Sequence, residues 1–90
     1  MQGVPPSTSA EIIGVLQRAV QAHNKGNLDE AEGLYRLVLQ KDESNFPALN
    51  MLGILQGQRR NFGEATLLLE RALKVDPRSA EACANLGHLY

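Results

Sequence analysis

The sequence has little of what stabilises many small domains. Its 90 residues include one cysteine, no tryptophan, two tyrosines and two phenylalanines. A single cysteine excludes an internal disulfide framework and favours a reducing, cytoplasmic location. The low aromatic content favours helices packed through leucine and alanine over a sheet-based core with large aromatic side chains.

Neither an excess of one charge nor a long apolar run is present. Nine Lys and Arg residues balance ten Asp and Glu residues, for a net charge of -1. Such a balance predicts no nucleic acid and no anionic membrane as a partner. No stretch reaches the roughly 18 apolar residues of a transmembrane helix. The N-terminus, MQGVPPSTS, lacks the basic residues and apolar core of a secretory signal.

Catalytic and cofactor motifs are also missing from the sequence. His23 and His88 stand far apart, without metal-ligand spacing to a cysteine or a carboxylate cluster. The glycines lack the spacing and the lysine of a phosphate-binding loop. Cys83 falls on a helix face beside Leu86, which predicts a buried, inert thiol. We therefore expect no catalytic residue, no cofactor and no metal site, and no enzyme activity from this chain itself.

What the sequence does contain is a repeated helical pattern, clearest over residues 61–87. An apolar stripe at helical spacing precedes Asp76-Pro77, which ends the helix because proline lacks an amide donor. Ser79 is a suitable cap for the next helix. The first stripe consists of Phe62, Ala65, Leu68, Leu69, Ala72 and Leu73, and the next helix has Cys83, Leu86, Gly87 and Tyr90 on its packing face.

The same pattern recurs at an offset of 34 residues. The matching pairs include Asn27/Asn61, Glu30/Glu64, Ala31/Ala65, Leu34/Leu68, Leu39/Leu73, Asp42/Asp76, Ala48/Ala82, Leu52/Leu86 and Gly53/Gly87. They fall at helix starts, helix contacts and helix ends. With its Leu-Gly pairs, its small residues and its Asp-Pro turn, the sequence resembles the tetratricopeptide repeat family. The resemblance implies an all-α, right-handed α-α superhelix, a solenoid of antiparallel helix pairs with about five helices.

The predicted boundaries follow from caps and breakers. Residues 1–9 are expected to be disordered, and residues 10–90 to form the repeat domain, with repeats at about 12–45 and 46–79 and a partial one at 80–90. A capping box predicts a first helix from near Ser9 to Asn24, followed by helices at about 28–41, 45–58, 62–75 and 79–90. Asn27 and Asn61 are predicted N-caps. We expect the chain to be a fragment of a longer array.

The resemblance also implies a function, because the first helices of such repeats line a concave groove that holds a peptide or a partner helix. We expect a protein–protein interaction scaffold. The predicted groove residues are Ile13, Leu16, Val20, His23, Asn24, Asn50, Ile54, Gly57, Gln58, Glu81, Ala84, Asn85 and His88. The alternative for Ile13, Leu16 and Val20 is that they only cover the N-terminal segment or the superhelix edge.

Two further possibilities concern the partner. The positions that hold a carboxylate in chaperone-binding members carry Leu16, Val20, Met51, Glu81 and Asn85, which argues against such a clamp. The alternative function is an N-terminal segment of a longer enzyme, such as a bacterial glycosyltransferase resembling O-linked N-acetylglucosamine transferases, used for substrate presentation or oligomerisation. Self-association is a further option, through a C-terminal end formed by Leu86, Leu89 and Tyr90.

Overall fold

The computed structural model describes the backbone of residues 6–89 and the side chains of residues 10–88. Five helices follow one another: α1 (Pro6–Asn24), α2 (Leu28–Lys41), α3 (Phe46–Gln58), α4 (Phe62–Val75) and α5 (Ala80–Leu89). No strand occurs among these residues. The all-α prediction with five helices is therefore confirmed. None of the described helices is both long and apolar enough to cross a membrane.

The helices pack in pairs. The most extensive contacts join α1 to α2 and α3 to α4, and smaller contacts join α2 to α3 and α4 to α5. Connections of three residues, 25–27 and 59–61, require each pair to run antiparallel. The first helices of successive pairs touch only lightly, α1 against α3 and α3 against α5. The result is a row of hairpins, 48 × 29 × 18 Å in extent.

The core lies between the helices of each pair and is made of leucines and alanines with one tyrosine. Tyr35 of α2 and Leu49 and Leu52 of α3 are at most 1% exposed. In α4, Phe62 departs from the prediction, because its side chain is 47% exposed. It stands at the first position of the helix, beyond the part of α3 that covers the stripe. The other core side chains that are at most 1% exposed are Ala19, Ala31, Val38, Ala48, Leu55, Ala65, Leu69, Ala72 and Ala82.

The first helix begins earlier than predicted. It starts at Pro6 rather than near Ser9, so residues 6–9 are helical and only residues 1–5 of the expected disordered segment lie outside the described part of the chain. Proline is accepted at a helix start because the first amides have no intrahelical acceptor. The remaining helices begin and end within one residue of the predicted positions.

The predicted caps are only partly correct. Asn27 and Asn61 make no side-chain capping hydrogen bond. The side-chain nitrogen Nδ2 of Asn61 instead donates to Gln56 Oε1 at 2.8 Å. The side chain is therefore bonded to α3 and not to the start of α4. Asn45 and Ser79 do cap, accepting from the amides of the residues three positions on at 2.9 and 3.1 Å. Backbone hydrogen bonds of the turns at 25–27 and 59–61 end α1 and α3.

Candidate functional site

Five of the thirteen residues predicted to line a groove meet at one place, where α5 approaches α3 and the start of α4. A cavity of about 300 Å³ opens there. Five predicted groove residues line it: Ile54, Gly57, Gln58, Asn85 and His88. The sequence had assigned the other lining residues, Gly53, Phe62 and Leu69, to helix packing. None of the eight is an Asp, Glu, Lys or Arg, so the cavity is neutral.

The exposed ring of Phe62 is the lining feature that sequence reasoning missed. A helical stripe predicts which residues face the neighbouring helix, but it does not predict where that neighbour ends. Phe62 therefore belongs to the packing stripe by spacing and to the cavity by position. Its 47% exposure makes it one of the more exposed large hydrophobic side chains described.

His23, another predicted groove residue, does not line the cavity but contacts Gln58, which does. Its Nε2 lies 2.7 Å from Gln58 Oε1, and its Nδ1 lies 3.1 Å from the Tyr35 hydroxyl. Because an amide oxygen only accepts, Nε2 carries the hydrogen and Nδ1 accepts from the tyrosine. The contact connects α1 to α3 and gives the Gln58 carboxamide one orientation, with its oxygen towards α1.

Tyr35 is the buried partner in that contact. Its side chain is fully covered, and burial raises the pKa of its hydroxyl to about 12. The hydroxyl therefore stays protonated at neutral pH and remains a donor for His23. The rings of His23 and Tyr35 lie edge to face, with centroids 5.9 Å apart and planes at 75°. This arrangement is one of the preferred geometries for aromatic pairs.

Asn50 requires a correction. It was predicted on the groove surface, but its side chain is only 2% exposed, and Asn50 Oδ1 accepts from Asn85 Nδ2 at 3.1 Å. A buried amide needs such a partner, and the nearest first helix supplies it. Asn50 thus connects α3 to α5, as His23 connects α1 to α3. Asn85 also lines the cavity.

The remaining predicted groove residues divide by exposure. Leu16 and Val20 are half-buried and pack against the core cluster, so they are at most the edge of a groove. Ile13 is 56% exposed. Asn24, Glu81 and Ala84 are also exposed. A groove that includes these residues of α1 and α5 stays a prediction.

The predicted packing face of α5 is open among the described residues. Cys83 is exposed rather than buried, so its prediction as a covered thiol is wrong. A Cβ built on Gly87 meets no atom within 4 Å, whereas one built on Gly53 lies 2.8 Å from Leu69 Cγ. The reason is that no described helix covers this face of α5, whereas α4 covers the equivalent face of α3. The Leu89 side chain and Tyr90, named for self-association, lie outside the described residues.

Charged side chains lie away from the cavity. On the outer side, hydrogen bonds from Arg36 to Glu64 and to Glu32, at 2.7 and 2.8 Å, raise the pKa of the guanidinium. Arg59 pairs with Asp29 near the start of α2. These partly exposed pairs contribute little to stability. Among the described residues, no three His, Cys, Asp or Glu side chains are grouped as a metal site requires.

The chain resembles known proteins, although no protein-family model matches it. The chain is 36% identical over 76 residues to the UDP-N-acetylglucosamine–peptide N-acetylglucosaminyltransferase of Caenorhabditis elegans. The matched segment covers 84% of this chain and 7% of the relative. The solved structure of a mutant O-GlcNAc transferase from Thermobaculum terrenum matches with a TM-score of 0.91 and 35% identity. That match covers 96% of this chain and 16% of the other. The chain spans a small share of either relative, and the structural match confirms an all-α helical-repeat solenoid.

Proposed function

We propose that this chain is a tetratricopeptide-type repeat module that binds a protein partner in the groove between its first helices. The observation that supports it most directly is the neutral cavity between α3, α4 and α5, where five residues predicted to line the groove come together. Cavities of this size with apolar walls and a few polar groups are typical of binding sites. The partner is an extended peptide or a helix with an uncharged contact segment.

The two relatives suggest the setting in which the module acts. Both are named as N-acetylglucosamine transferases, and the chain matches only a small part of each. We propose that the chain serves such an enzyme as a non-catalytic segment that holds protein substrates. The reading frame that encodes the chain tests this setting. A glycosyltransferase domain in the same frame would support it, and a frame without one would leave a free-standing scaffold.

A matched pair of substitutions tests the groove. Peptides that bind the chain are first selected from a random peptide library, and their affinity is then measured by fluorescence anisotropy. Ile54→Glu places a carboxylate in the cavity wall and is expected to weaken binding about tenfold or more, because burying an unpaired charge is costly. Leu67→Glu makes the same kind of change at a side chain that is 62% exposed and outside the cavity.

Leu67→Glu is expected to bind the selected peptides as the unmodified chain does. Equal weakening by both substitutions would contradict the groove assignment, and so would full binding by Ile54→Glu. Circular dichroism of both variants checks that the helices remain. The setting in a transferase and the groove are separate parts of the proposal, since either result can be obtained without the other.

Self-association stays a prediction. Light scattering over a range of concentrations measures it directly, and a mass equal to that of one chain at all concentrations would contradict it.

A further inference from the structure

The cavity in the second helix pair has an equivalent position in the first pair. At the repeat offset of 34 residues, Gly57 corresponds to His23 and Leu69 corresponds to Tyr35. In the first pair, the two aromatic rings stand edge to face at this place. The first pair therefore shows that this architecture accommodates an aromatic ring, that of His23 on the first helix, against the Tyr35 ring of its partner helix.

In the second pair, both rings are missing. Gly57 contributes no side chain, and Leu69 replaces an aromatic ring by a smaller aliphatic group. The cavity of about 300 Å³ lies at these two residues. The cavity is open to the surface at the groove side, so a group from outside can enter it. The volume reaches the lower end of the range of small-molecule and side-chain pockets.

The walls indicate which ring fits. His23 uses the Tyr35 hydroxyl as a hydrogen-bond partner, but Leu69 offers no donor at the equivalent position. An imidazole would lose that partner, whereas a phenyl ring needs none. Ile54 and Leu69 provide apolar contact, and the exposed ring of Phe62 can meet a second ring edge to face.

Polar groups remain at the border of the cavity. Gln58 Oε1 is engaged by His23, so its amide nitrogen is the free end. Asn85 Nδ2 is engaged by Asn50, so its carbonyl oxygen is the free end. Together with the His88 imidazole, which also lines the cavity, these groups offer hydrogen-bond donors and acceptors that suit the peptide group carrying the ring or the hydroxyl of a tyrosine.

We propose that the cavity binds an aromatic side chain, phenylalanine or tyrosine, from a partner polypeptide. The inference rests on the proposed function, because it names the side chain that the groove recognises. The first pair fills its own site with His23, and the second pair leaves the equivalent site for the partner.

The experiment uses N-acetyl-phenylalanine methylamide as the probe and N-acetyl-alanine methylamide as the comparison. Each is titrated into the ¹⁵N-labelled chain while the amide signals of Gly53, Gly57 and Gln58 are followed by NMR. The phenylalanine amide is expected to move these signals in a saturable way, and the alanine amide is expected to leave them in place. No saturable change with the phenylalanine amide would overturn the inference.

A matched pair of variants then tests the site. Gly57→His supplies the ring that the first pair has, so it is expected to remove the response to the phenylalanine amide. Gly33→His places the same ring on α2, where an added Cβ meets nothing within 4 Å, and is expected to respond fully. A full response by Gly57→His would show that the probe binds elsewhere and would overturn the inference. If Gly57→His does not fold, the titration of the unmodified chain still decides.

The selected peptides separate this inference from the proposed function. Replacing their aromatic residue by alanine is expected to reduce affinity about tenfold or more. If Ile54→Glu weakens peptide binding but this replacement does not, the groove function stands and the aromatic site is wrong. If the phenylalanine amide binds but no peptide is selected, the site stands and the groove function is wrong.

Discussion

Where the first helix pair carries Ala19 and Tyr35, the second carries Gly53 and Leu69, and both pairs bury these residues at the same place. The larger side chain of α2 faces a helix with an alanine, and the smaller one of α4 approaches a glycine. Leu69 comes so close to Gly53 that a Cβ there would lie 2.8 Å from it. One backbone arrangement thus accepts two different packings.

The difference shows how a repeat separates support from function. In the first pair, His23 is hydrogen-bonded to the buried Tyr35 and to the exposed Gln58 of α3. The second pair packs its helices closely through Gly53 and leaves its groove side open at Gly57. The repeat pattern fixes the contacts that hold a pair together, and the positions outside the pattern decide whether the groove side is filled or free.

The largest expected effect is on the free energy of unfolding, for substitutions at a position where the two repeats carry different residues. Leu52→Ala removes a fully buried side chain of α3 and is expected to lower the free energy of unfolding by about 3 kcal/mol. Arg18 is the equivalent residue of α1 and is exposed. Arg18→Ala is expected to change stability by about 0.5 kcal/mol or less. Urea denaturation followed by circular dichroism measures both, and equal losses would mean that the pairs are packed alike.

The next effect depends on pH and belongs to the first pair alone. Burial raises the pKa of Tyr35 to about 12, above the value near 10 of an unfolded chain. The protonated hydroxyl therefore contributes stability that is complete below pH ~10 and is lost as the pH rises towards about 12. The expected loss is about 2–3 kcal/mol.

Urea denaturation at a series of alkaline pH values measures this loss. Tyr35→Phe is the control, because it retains the ring and removes the ionisable group. The unmodified chain should lose more stability than the variant across this pH range. Parallel curves would contradict the role given to the buried hydroxyl.

A double-mutant cycle tests the close approach in the second pair. Gly53→Ala is expected to cost about 1–2 kcal/mol, because the new methyl group displaces Leu69. In a Leu69→Ala background the obstacle is gone, and the same substitution should stabilise by up to about 1 kcal/mol through helix propensity. The cost of Gly53→Ala must therefore change sign between the two backgrounds. A cost that is the same in both would show that Leu69 is not the neighbour that requires glycine.

The sequence allowed the core of both pairs to be predicted, and the groove only in part. The offset of 34 residues identifies Leu52 and Gly53 as packing residues, because helix periodicity and repeat spacing both select them. The burial of Asn50 was not predicted in this way, since its neighbour, Asn85, is on α5, and this contact depends on how α5 packs against α3. The prediction of a buried thiol at Cys83 was also wrong, because helix periodicity predicts which residues share a face but not whether another helix covers that face.

The turns within the two helix pairs, at residues 25–27 and 59–61, provide the last comparison. Gly26 and Arg60 occupy equivalent positions and both adopt a left-handed backbone, with φ of 84° and 68°. Glycine accepts this conformation without penalty, whereas a side chain with a Cβ is strained there. Arg60→Gly is therefore expected to stabilise the chain by about 1 kcal/mol, and Gly26→Ala to destabilise it by a similar amount. Urea denaturation measures both, and a loss of stability in Arg60→Gly would show that the arginine makes a contact worth more than the strain it carries.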